Sequence, residues 1–436
     1  MSTKKRFYGW QLCIVLAIMY FCSSGSILYT AMIVNPIMLQ DSSMALSGTL
    51  LSIGFTLFIL MQGIPAPFVG QLVAKKGARF TMALGGAIMA LGAFAMIFIV
   101  REVVTYIIAF GVFTSVGSVM AGQISVQSTV GQWFSARRGI AMTITMTLGG
   151  LASFATPLIV NAIVGASGGA WQSGWYLMAI YGIILIPIAL IFVKNKPADI
   201  GQLPDGAESV AAFEKKQKEN KVYKNTKVIE FKEAIRRPQF WLIALTGTGG
   251  FTAASLASSQ GVIHFTTLGI DKGLIVGAVA TMGIASVVGK ILIGMITDRI
   301  EPIRLMSCCA ILAALGIFLA TMATDSFLVY VYYIFTGFGV GAITTTLPTS
   351  VANYFGPHAF SKNLGTTMLV TTIVSSTIPL ISGRIFDITG FCIIAFYIAS
   401  AVVLVCAICG FLVRIPKKKQ GHIASEPKLQ QMEGEA

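Results

Sequence analysis

The stretch LIVGAVATMGIASVVGKILIGMITDRIEPIR, residues 274–304, decides the fold. It opens with an apolar run in which Lys290 is the only charged residue before Asp298. A helix needs about 20 consecutive, mostly apolar residues to cross the hydrocarbon core of a bilayer. The run meets this length, and Asp298 and Arg299 end it. The stretch therefore predicts a membrane-spanning helix with one charge inside the bilayer.

The rest of the chain repeats this pattern. Of its 436 residues 55% are hydrophobic and 11% are charged, with a mean hydropathy of +0.80, whereas a soluble domain carries about 25% charged residues. The sequence predicts an all-α integral membrane protein of twelve helices in two pseudo-symmetric six-helix bundles. The predicted spans are 8–33, 47–73, 78–100, 103–130, 139–163, 172–194, 239–266, 273–297, 304–323, 327–355, 361–386 and 392–414.

Polar segments divide these spans into two sets of six. We predict an N-terminal bundle over 1–194, a partly disordered cytoplasmic central loop over 195–238 and a C-terminal bundle over 239–414. The remaining residues, 415–436, are predicted to form a cytoplasmic tail. The first span is long enough to cross the membrane and has no small-residue cleavage site after it, so it reads as an uncleaved helix.

The net charge of +14 comes from basic residues that punctuate the apolar runs. They form no face or stripe and no nucleic-acid-binding motif, so nucleic acid is not an expected partner. A positive-inside bias explains them, because only Arg101, Lys272 and Arg384 fall on the side opposite the other loops. We expect a multi-pass protein of the cell membrane, embedded in the lipid bilayer as a functional monomer, with both termini in the cytoplasm.

The two halves contain similar connections. GQLVAKKGAR (70–79) follows the second span, and GMITDRIEPIR (294–304) follows the eighth. WFSARRG (133–139) follows the fourth, and YFGPHAFSKNLG (354–365) follows the tenth. Two similar six-helix halves are the layout expected for alternating-access transport, with the substrate bound near the midplane between them.

These connections resemble the signature of the major facilitator superfamily, which places Gly, Asp-Arg or Asp-Lys, Gly and Arg after the second and eighth helices. The resemblance implies a conformational latch between helix ends, which binds no substrate. Ala74 stands where the family usually has Asp, so the first copy of the latch departs from the pattern. The predicted latch residues are Gly70, Lys75, Gly77, Arg79, Gly294, Asp298, Arg299 and Arg304.

Within that superfamily the chain resembles the monocarboxylate transporters and the oxalate:formate antiporter group. The similarity covers essentially the whole chain, and the order and spacing of the motifs carry it. The motifs are FYGW (7–10), Asn35–Pro36, WFSARRG (133–139), KPADIGQLPDG (196–206), RRPQFW (236–241) and GRIFDITG (383–390).

Lys290 is the most informative single residue. It precedes Asp298 by eight residues, about 12 Å of helix, so it lies near the middle of a core about 30 Å thick. A charge at that depth costs roughly 2.5–3.5 kcal/mol. The interiors of the predicted spans contain no Asp or Glu to act as its counter-ion. A substrate carboxylate is therefore the expected partner, with pairing to helix carbonyls as the alternative.

The resembled group carries an Arg at this offset that binds the substrate carboxylate, and Lys290 occupies its place. Proton-coupled monocarboxylate transporters often have an Asp one turn earlier, where this chain has Ser286. The oxalate antiporter has a second cation eight residues after an Asn of helix 11, and counting from Asn363 gives Thr371. One fixed cation favours a monoanion, such as lactate, pyruvate or formate, over a dianion.

Uncharged polar residues complete the predicted site. Gln123 and Gln127 share a helix face, and the related antiporter places a Tyr near Tyr29, although helix packing explains each of them equally well. The predicted substrate-binding residues are Lys290, Tyr29, Gln123, Gln127, Thr371 and Ser286. Lys290 and His264 are the candidates for carrying a coupled proton, and a passive interfacial role is the other interpretation of His264.

Other function classes fit the sequence less well. It shows no nucleotide-binding loop, nucleophile–base set or metal-ligand spacing, so we predict neither an enzyme nor a cofactor or metal. The seven cysteines all lie in apolar runs. We predict a secondary active transporter of small organic anions, as a proton symporter or an anion exchanger. An exporter of drugs or other metabolites and a non-transporting membrane sensor remain the alternatives.

Overall fold

The computed structural model describes residues 7–38, 41, 48–209, 222–225, 229–323 and 326–415. Within these ranges the chain is helical, and eleven helices are long and apolar enough to cross a membrane. A twelfth crossing, α2, is formed if the bent pair Thr56–Gly63 and Ala66–Lys76 counts as one span. The other spans are α1 Gly9–Asn35, α3 Ala78–Phe98, α4 Val103–Trp133, α5 Arg138–Ala166, α6 Gln172–Phe192, α7 Pro238–Thr267, α8 Gly273–Ile296, α9 Pro302–Ala320, α10 Ser326–Phe355, α11 Phe360–Phe386 and α12 Ile393–Leu412.

These spans confirm the predicted all-α membrane architecture. The outer surface is apolar, with Phe154 74% exposed and Phe327 70% exposed. Such a surface is out of place in water and suits lipid. Helix interiors instead bury small and polar residues such as Thr248 and Ser307, whose hydroxyls donate to carbonyls one turn earlier in their own helices.

Several spans are interrupted. α2 bends by 41° between Gly63 and Ala66, where Pro65 lacks the N–H that would continue the helical ladder. α1 and α7 each contain a short π-helical turn, at Phe21–Gly25 and Ala257–Gly261. Breaks of this kind are tolerated in membranes where neighbouring helices satisfy the freed backbone groups.

The two sets of helices meet at one end of the bundle. We call it the basic end; it holds the connections at 77, 134–137, 297–301 and 356–359, which the sequence places in the cytoplasm. There α5 packs against α8, and α2 packs against α11.

Glycines bring the helix backbones into contact at the basic end. A Cβ at Gly294 of α8 would overlap the Thr143 hydroxyl of α5, and one at Gly139 would overlap the Thr297 hydroxyl. A Cβ at Gly70 of α2 would likewise overlap the Ser361 carbonyl, and one at Gly365 the Ala66 carbonyl. The same four glycines occupy similar places in the repeated connections of the sequence.

The same helix pairs separate towards the opposite end. Gly283 lies about three turns from Gly294 on α8, and Gly383 about five turns from Gly365 on α11, so each faces the same way as its counterpart. No heavy atom of the described residues, apart from the helix backbone itself, comes within 4 Å of a Cβ built at Gly283 or Gly383. The helix pairs are therefore packed at the basic end, with the α2–α11 contact continuing to Gly63 and Thr372, and open space begins further along, at Gly283 and Gly383.

Candidate functional site

Lys290 lies on the α8 face that turns towards α5. It shares this face with Gly294 one turn away, and its side chain is half-buried. Because a helical side chain leans towards the N-terminus of its helix, the ammonium extends away from the basic end. Its Nζ lies 3.0 Å from the point where a Cβ of Gly150 would stand. Apart from the backbone of α5, no other heavy atom of the described residues comes within 4 Å of that point.

The Lys290 ammonium makes no hydrogen bond or ion pair with the described part of the chain. Gly150, which faces the ammonium from α5, has no side chain. α5 is slightly irregular here, because the Leu151 N–H is shared between the Thr147 and Leu148 carbonyls, at 3.2 and 3.3 Å. The ammonium therefore lies beside an open turn of α5 without a partner among the described residues.

Tyr29 reaches the same turn of α5 from α1. Its hydroxyl lies next to that of Ser153, and Ser153 Oγ donates to the Gly150 carbonyl at 2.9 Å. The Tyr20 ring packs against Gly149, the residue before Gly150, and its Cδ1 atom lies 2.5 Å from a Cβ built there. The structure thus brings Lys290 and Tyr29 to one place, between α1, α5 and α8.

Thr147 is a polar residue of this turn that the sequence analysis missed. Its Oγ1 is buried and has no hydrogen-bond partner among the described residues. Thr147 lies four residues after Thr143, which touches Gly294, and three residues before Gly150, which faces Lys290. Residues at these spacings share one helix face, so Thr147 lies between the α5–α8 contact and the Lys290 gap.

The two predicted glutamines lie at other interfaces. Gln123 Nε2 approaches Met368 Sδ of α11 at 3.7 Å, and Gln127 Nε2 approaches Met146 Sδ of α5 at 3.5 Å. The Oε1 atom of Gln127 is buried and has no partner among the described residues. Gln123 therefore faces the α4–α11 boundary, and Gln127 keeps an unused acceptor inside the bundle.

Thr371, Ser286 and His264 make contacts of a structural kind. The Thr371 hydroxyl is buried and donates to the Met368 carbonyl of its own helix at 2.9 Å. Ser286 is half-buried, and its carbonyl packs against Gly341 of α10. His264 is buried, with Nε2 3.0 Å from the Ala320 carbonyl and its ring stacked on Phe396 at 4.2 Å. These contacts place His264 among α7, α9 and α12.

Asp298 joins the two halves at the basic end. Its carboxylate accepts hydrogen bonds from the backbone N–H groups of Gly139 and Ile140, at 3.0 and 3.2 Å. These groups open α5, and the N-terminus of a helix favours negative charge. Burial raises the pKa of Asp298, while the nearby Lys224 and the two N–H donors oppose that shift.

The other residues predicted for the latch have different surroundings. Arg304 donates to the Phe411 carbonyl at 2.6 Å and lies over the Phe411 ring. Arg299, Lys75 and Arg79 are exposed. Gly77 has φ +86°, a conformation that favours glycine, at the end of α2. The exposed Ala74 has no carboxylate, so the Asp298 contact has no counterpart at the start of α11.

Two parts of the central loop also dock at the basic end. Asp205 accepts hydrogen bonds from the N–H groups of Ser135, Ala136 and Arg137, at 3.0, 2.7 and 3.1 Å. Lys224 Nζ donates to the carbonyls of Ser135 and Ala136. Burial lowers the pKa of Lys224 to about 8.

The segment 222–225 that carries Lys224 touches the other half as well. The Asn225 N–H donates to the Asn353 carbonyl at 2.8 Å, and the Tyr223 N–H donates to Glu301. Asn353 in turn accepts a hydrogen bond from the buried Arg138 at 2.9 Å. This segment therefore bridges the start of α5 and the ends of α8 and α10, a role that the sequence analysis did not predict.

Comparisons with known proteins agree with this architecture. The family model described as Major Facilitator Superfamily matches residues 16–278 and 261–433. Monocarboxylate transporter 7 of Homo sapiens is 26% identical over 84% of this chain and 79% of its own length. The oxalate:formate antiporter of Oxalobacter formigenes is 24% identical over 81% of this chain and 79% of its own length.

A solved structure shows the same fold. The crystal structure of the fucose:proton symporter of E. coli superposes with a TM-score of 0.67 at 14% identity, covering 93% of this chain and 99% of that one. The sequence matches also include a fungal efflux protein. The comparisons thus agree on the architecture and differ in the cargo that their names describe.

Proposed function

The chain belongs to the Major Facilitator Superfamily, and from that premise we propose that it carries small organic anions, with monocarboxylates as the main class, by alternating access. The observation that carries the proposal is the Lys290 ammonium, which faces the open turn at Gly150 without a partner among the described residues. An unpaired charge within a membrane span marks a substrate or ion pathway. The carboxylate of an anionic substrate supplies the counter-ion that the Lys290 ammonium lacks among the described residues.

The remaining geometry supports a transport cycle. With the basic end in the cytoplasm of a cell-membrane protein, closure at that end corresponds to the outward-open state of the proposed cycle. Reaching the inward-open state requires the Asp298–α5 contact and the glycine contacts at Gly70 and Gly294 to separate. In this cycle the hydrogen bonds between Asp298 and the start of α5 form and break as the transporter changes state, and Asp298 does not contact the cargo.

The coupling of the cycle is either anion exchange or proton symport. Exchange needs no proton carrier, and symport needs Lys290 or the anion itself to take the proton, because His264 is enclosed in its own bundle. Uptake driven by an inward proton gradient into vesicles without internal anion rules out obligate exchange. Preferred uptake of dianions over monoanions contradicts the single-cation site.

Binding to Lys290 is tested by thermal stabilisation of the purified monomer with a panel of small carboxylates. A ligand at 100 times its Kd stabilises by about 2.7 kcal/mol, so a real cargo raises the unfolding temperature of the wild type. We expect Lys290→Gln to lose this effect and the exposed Lys76→Gln to keep it. If no carboxylate distinguishes Lys290→Gln from Lys76→Gln, the site assignment fails.

An efflux pump for uncharged or cationic compounds is the second candidate, because one relative carries an efflux name. Cationic cargo calls for a buried acid, and the described spans place none beside Lys290. Stabilisation by cations or neutral compounds in both wild type and Lys290→Gln supports this second candidate over the first.

A further inference from the structure

The turn of α5 that faces Lys290 has two features that the proposed anion site does not yet use. The first is the open space at Gly150, where a Cβ would meet only Lys290 Nζ within 4 Å among the described residues. The second is the buried Thr147 hydroxyl, which has no hydrogen-bond partner in the described chain. Both lie on the same face of α5.

Gly150 differs from the packed glycines of α5 and α8, because its Cβ position meets only the Lys290 ammonium, at 3.0 Å. Its neighbour Gly149 is filled by the Tyr20 ring, and Gly139 and Gly294 are filled by threonine hydroxyls of the facing helix. A close packing role therefore explains those three glycines but not Gly150. Any side chain at this position would enter the volume beside the ammonium.

The unpaired hydroxyl of Thr147 is also unusual. A buried hydroxyl without a partner keeps an uncompensated cost of desolvation. Most threonines of these spans avoid this cost by donating to their own helix, as Thr143 and Thr145 do. Thr147 Oγ1 has no such bond among the described residues and is enclosed by its neighbours, so an acceptor from outside the chain reaches it when the side chains around it move.

We propose that this turn of α5 forms the second wall of the anion site and selects the cargo by size. The Thr147 hydroxyl donates to the carboxylate held by Lys290, and the missing side chain at Gly150 leaves room for the substituent that the carboxylate carries. The site accepts monocarboxylates with a short substituent, and the residue at position 150 sets the upper limit. The proposal rests on the proposed function.

The test compares Gly150→Val with Gly165→Val, using purified full-length protein and thermal-shift titration with formate, acetate, propionate and 2-methylpropanoate. Gly165 lies at the far end of the same helix, with no described heavy atom within 4 Å of a built Cβ. We expect Gly150→Val to weaken the binding of 2-methylpropanoate by about tenfold or more. This loss corresponds to two methyl groups that no longer pack in the site. We expect formate to change less than threefold, and Gly165→Val to bind the whole series like the wild type.

Thr147→Val tests the hydrogen bond, because valine has nearly the same shape without the hydroxyl. A hydrogen bond to a charged group is worth about 1.5–3 kcal/mol, so the binding of every anion should weaken by about 10- to 150-fold. If Gly150→Val weakens formate as much as 2-methylpropanoate, or weakens neither, the size limit is wrong. Gly150→Ala, with its smaller Cβ, repeats the comparison if the valine variant does not fold.

The failure of this inference is distinguishable from that of the proposed function. If Lys290→Gln binds the anions like the wild type, the proposed function is wrong whatever the α5 variants do. If Lys290→Gln loses binding but Thr147→Val and Gly150→Val bind the series unchanged, Lys290 remains the anion ligand and the α5 wall is wrong.

Discussion

The contact between α2 and α11 at the basic end depends on Gly365, and replacing this residue by Ala tests whether the contact controls which side of the site is open. A Cβ at Gly365 would overlap the Ala66 carbonyl oxygen and lie 2.7 Å from its carbon. Carbon atoms pack at about 3.5 Å or more, so the two helices must separate by roughly 0.8 Å. The obstructing atoms belong to the backbone, so no change of rotamer relieves the clash.

The energetic effect follows from this overlap. Extra volume forced into a packed contact costs about 1–3 kcal/mol. The cost applies to the state that is closed at the basic end and disappears when the halves part there. The equilibrium should therefore shift by about 5- to 150-fold towards the state that is open at the basic end.

The chain supplies a matched control in Gly383→Ala. Gly383 lies on the same helix and faces the same direction, with open space at its Cβ position among the described residues. Both substitutions gain up to about 1 kcal/mol of intrinsic helix propensity. Only Gly365→Ala adds the clash, so the difference between the two variants isolates the contact.

Distances between spin labels at Lys76→Cys and Ile300→Cys, in a background without native cysteines, measure the opening by double electron–electron resonance. Both positions are exposed at the basic end, one in each half. We expect a longer distance to gain population in Gly365→Ala and the wild-type distribution to persist in Gly383→Ala. Identical distributions in the two variants refute the reasoning.

Two further predictions concern the charges of the basic end and use the same label pair. Asp298→Ala removes the cap of α5, worth about 0.5–2 kcal/mol, and should populate the long distance, whereas Asp271→Ala, which removes the cap of α8 at its other end, should not. Lys224 has a pKa of about 8 when docked and an ordinary value near 10.4 when exposed, so the docked state binds fewer protons between these values. Raising the pH from 8 to 10 should therefore favour the short distance; Lys224→Met should abolish this dependence, and an equal pH response in that variant contradicts the assignment.

Much of the fold follows from the sequence, because hydrophobic length is a local property. The apolar run around Lys290 reads as a span without knowledge of any other helix, and so do the others. The depth of Lys290 follows from its distance to Asp298 along one helix. These inferences need no information about which helices touch.

The facing residues of the site could not be inferred in this way. Gly150 faces Lys290 only because α5 and α8 cross in one register, which depends on contacts far apart in the sequence. Thr147 looks like any other small polar residue of a packed helix. Lys224 lies in a run that reads as a solvated loop, and its docking depends on backbone groups that the sequence does not display.

The most direct test of the central claim is counterflow of a labelled monocarboxylate in proteoliposomes, with wild type and Lys290→Gln reconstituted at equal density. Counterflow proceeds in both symporters and exchangers, so it does not depend on the coupling. We predict that the wild type accumulates label in exchange for unlabelled internal monocarboxylate. The rate of accumulation in Lys290→Gln should be at least about tenfold lower, as expected for a lost charge-assisted contact. Wild-type counterflow in Lys290→Gln, or no counterflow of any small carboxylate in the wild type, contradicts the claim that Lys290 holds the cargo.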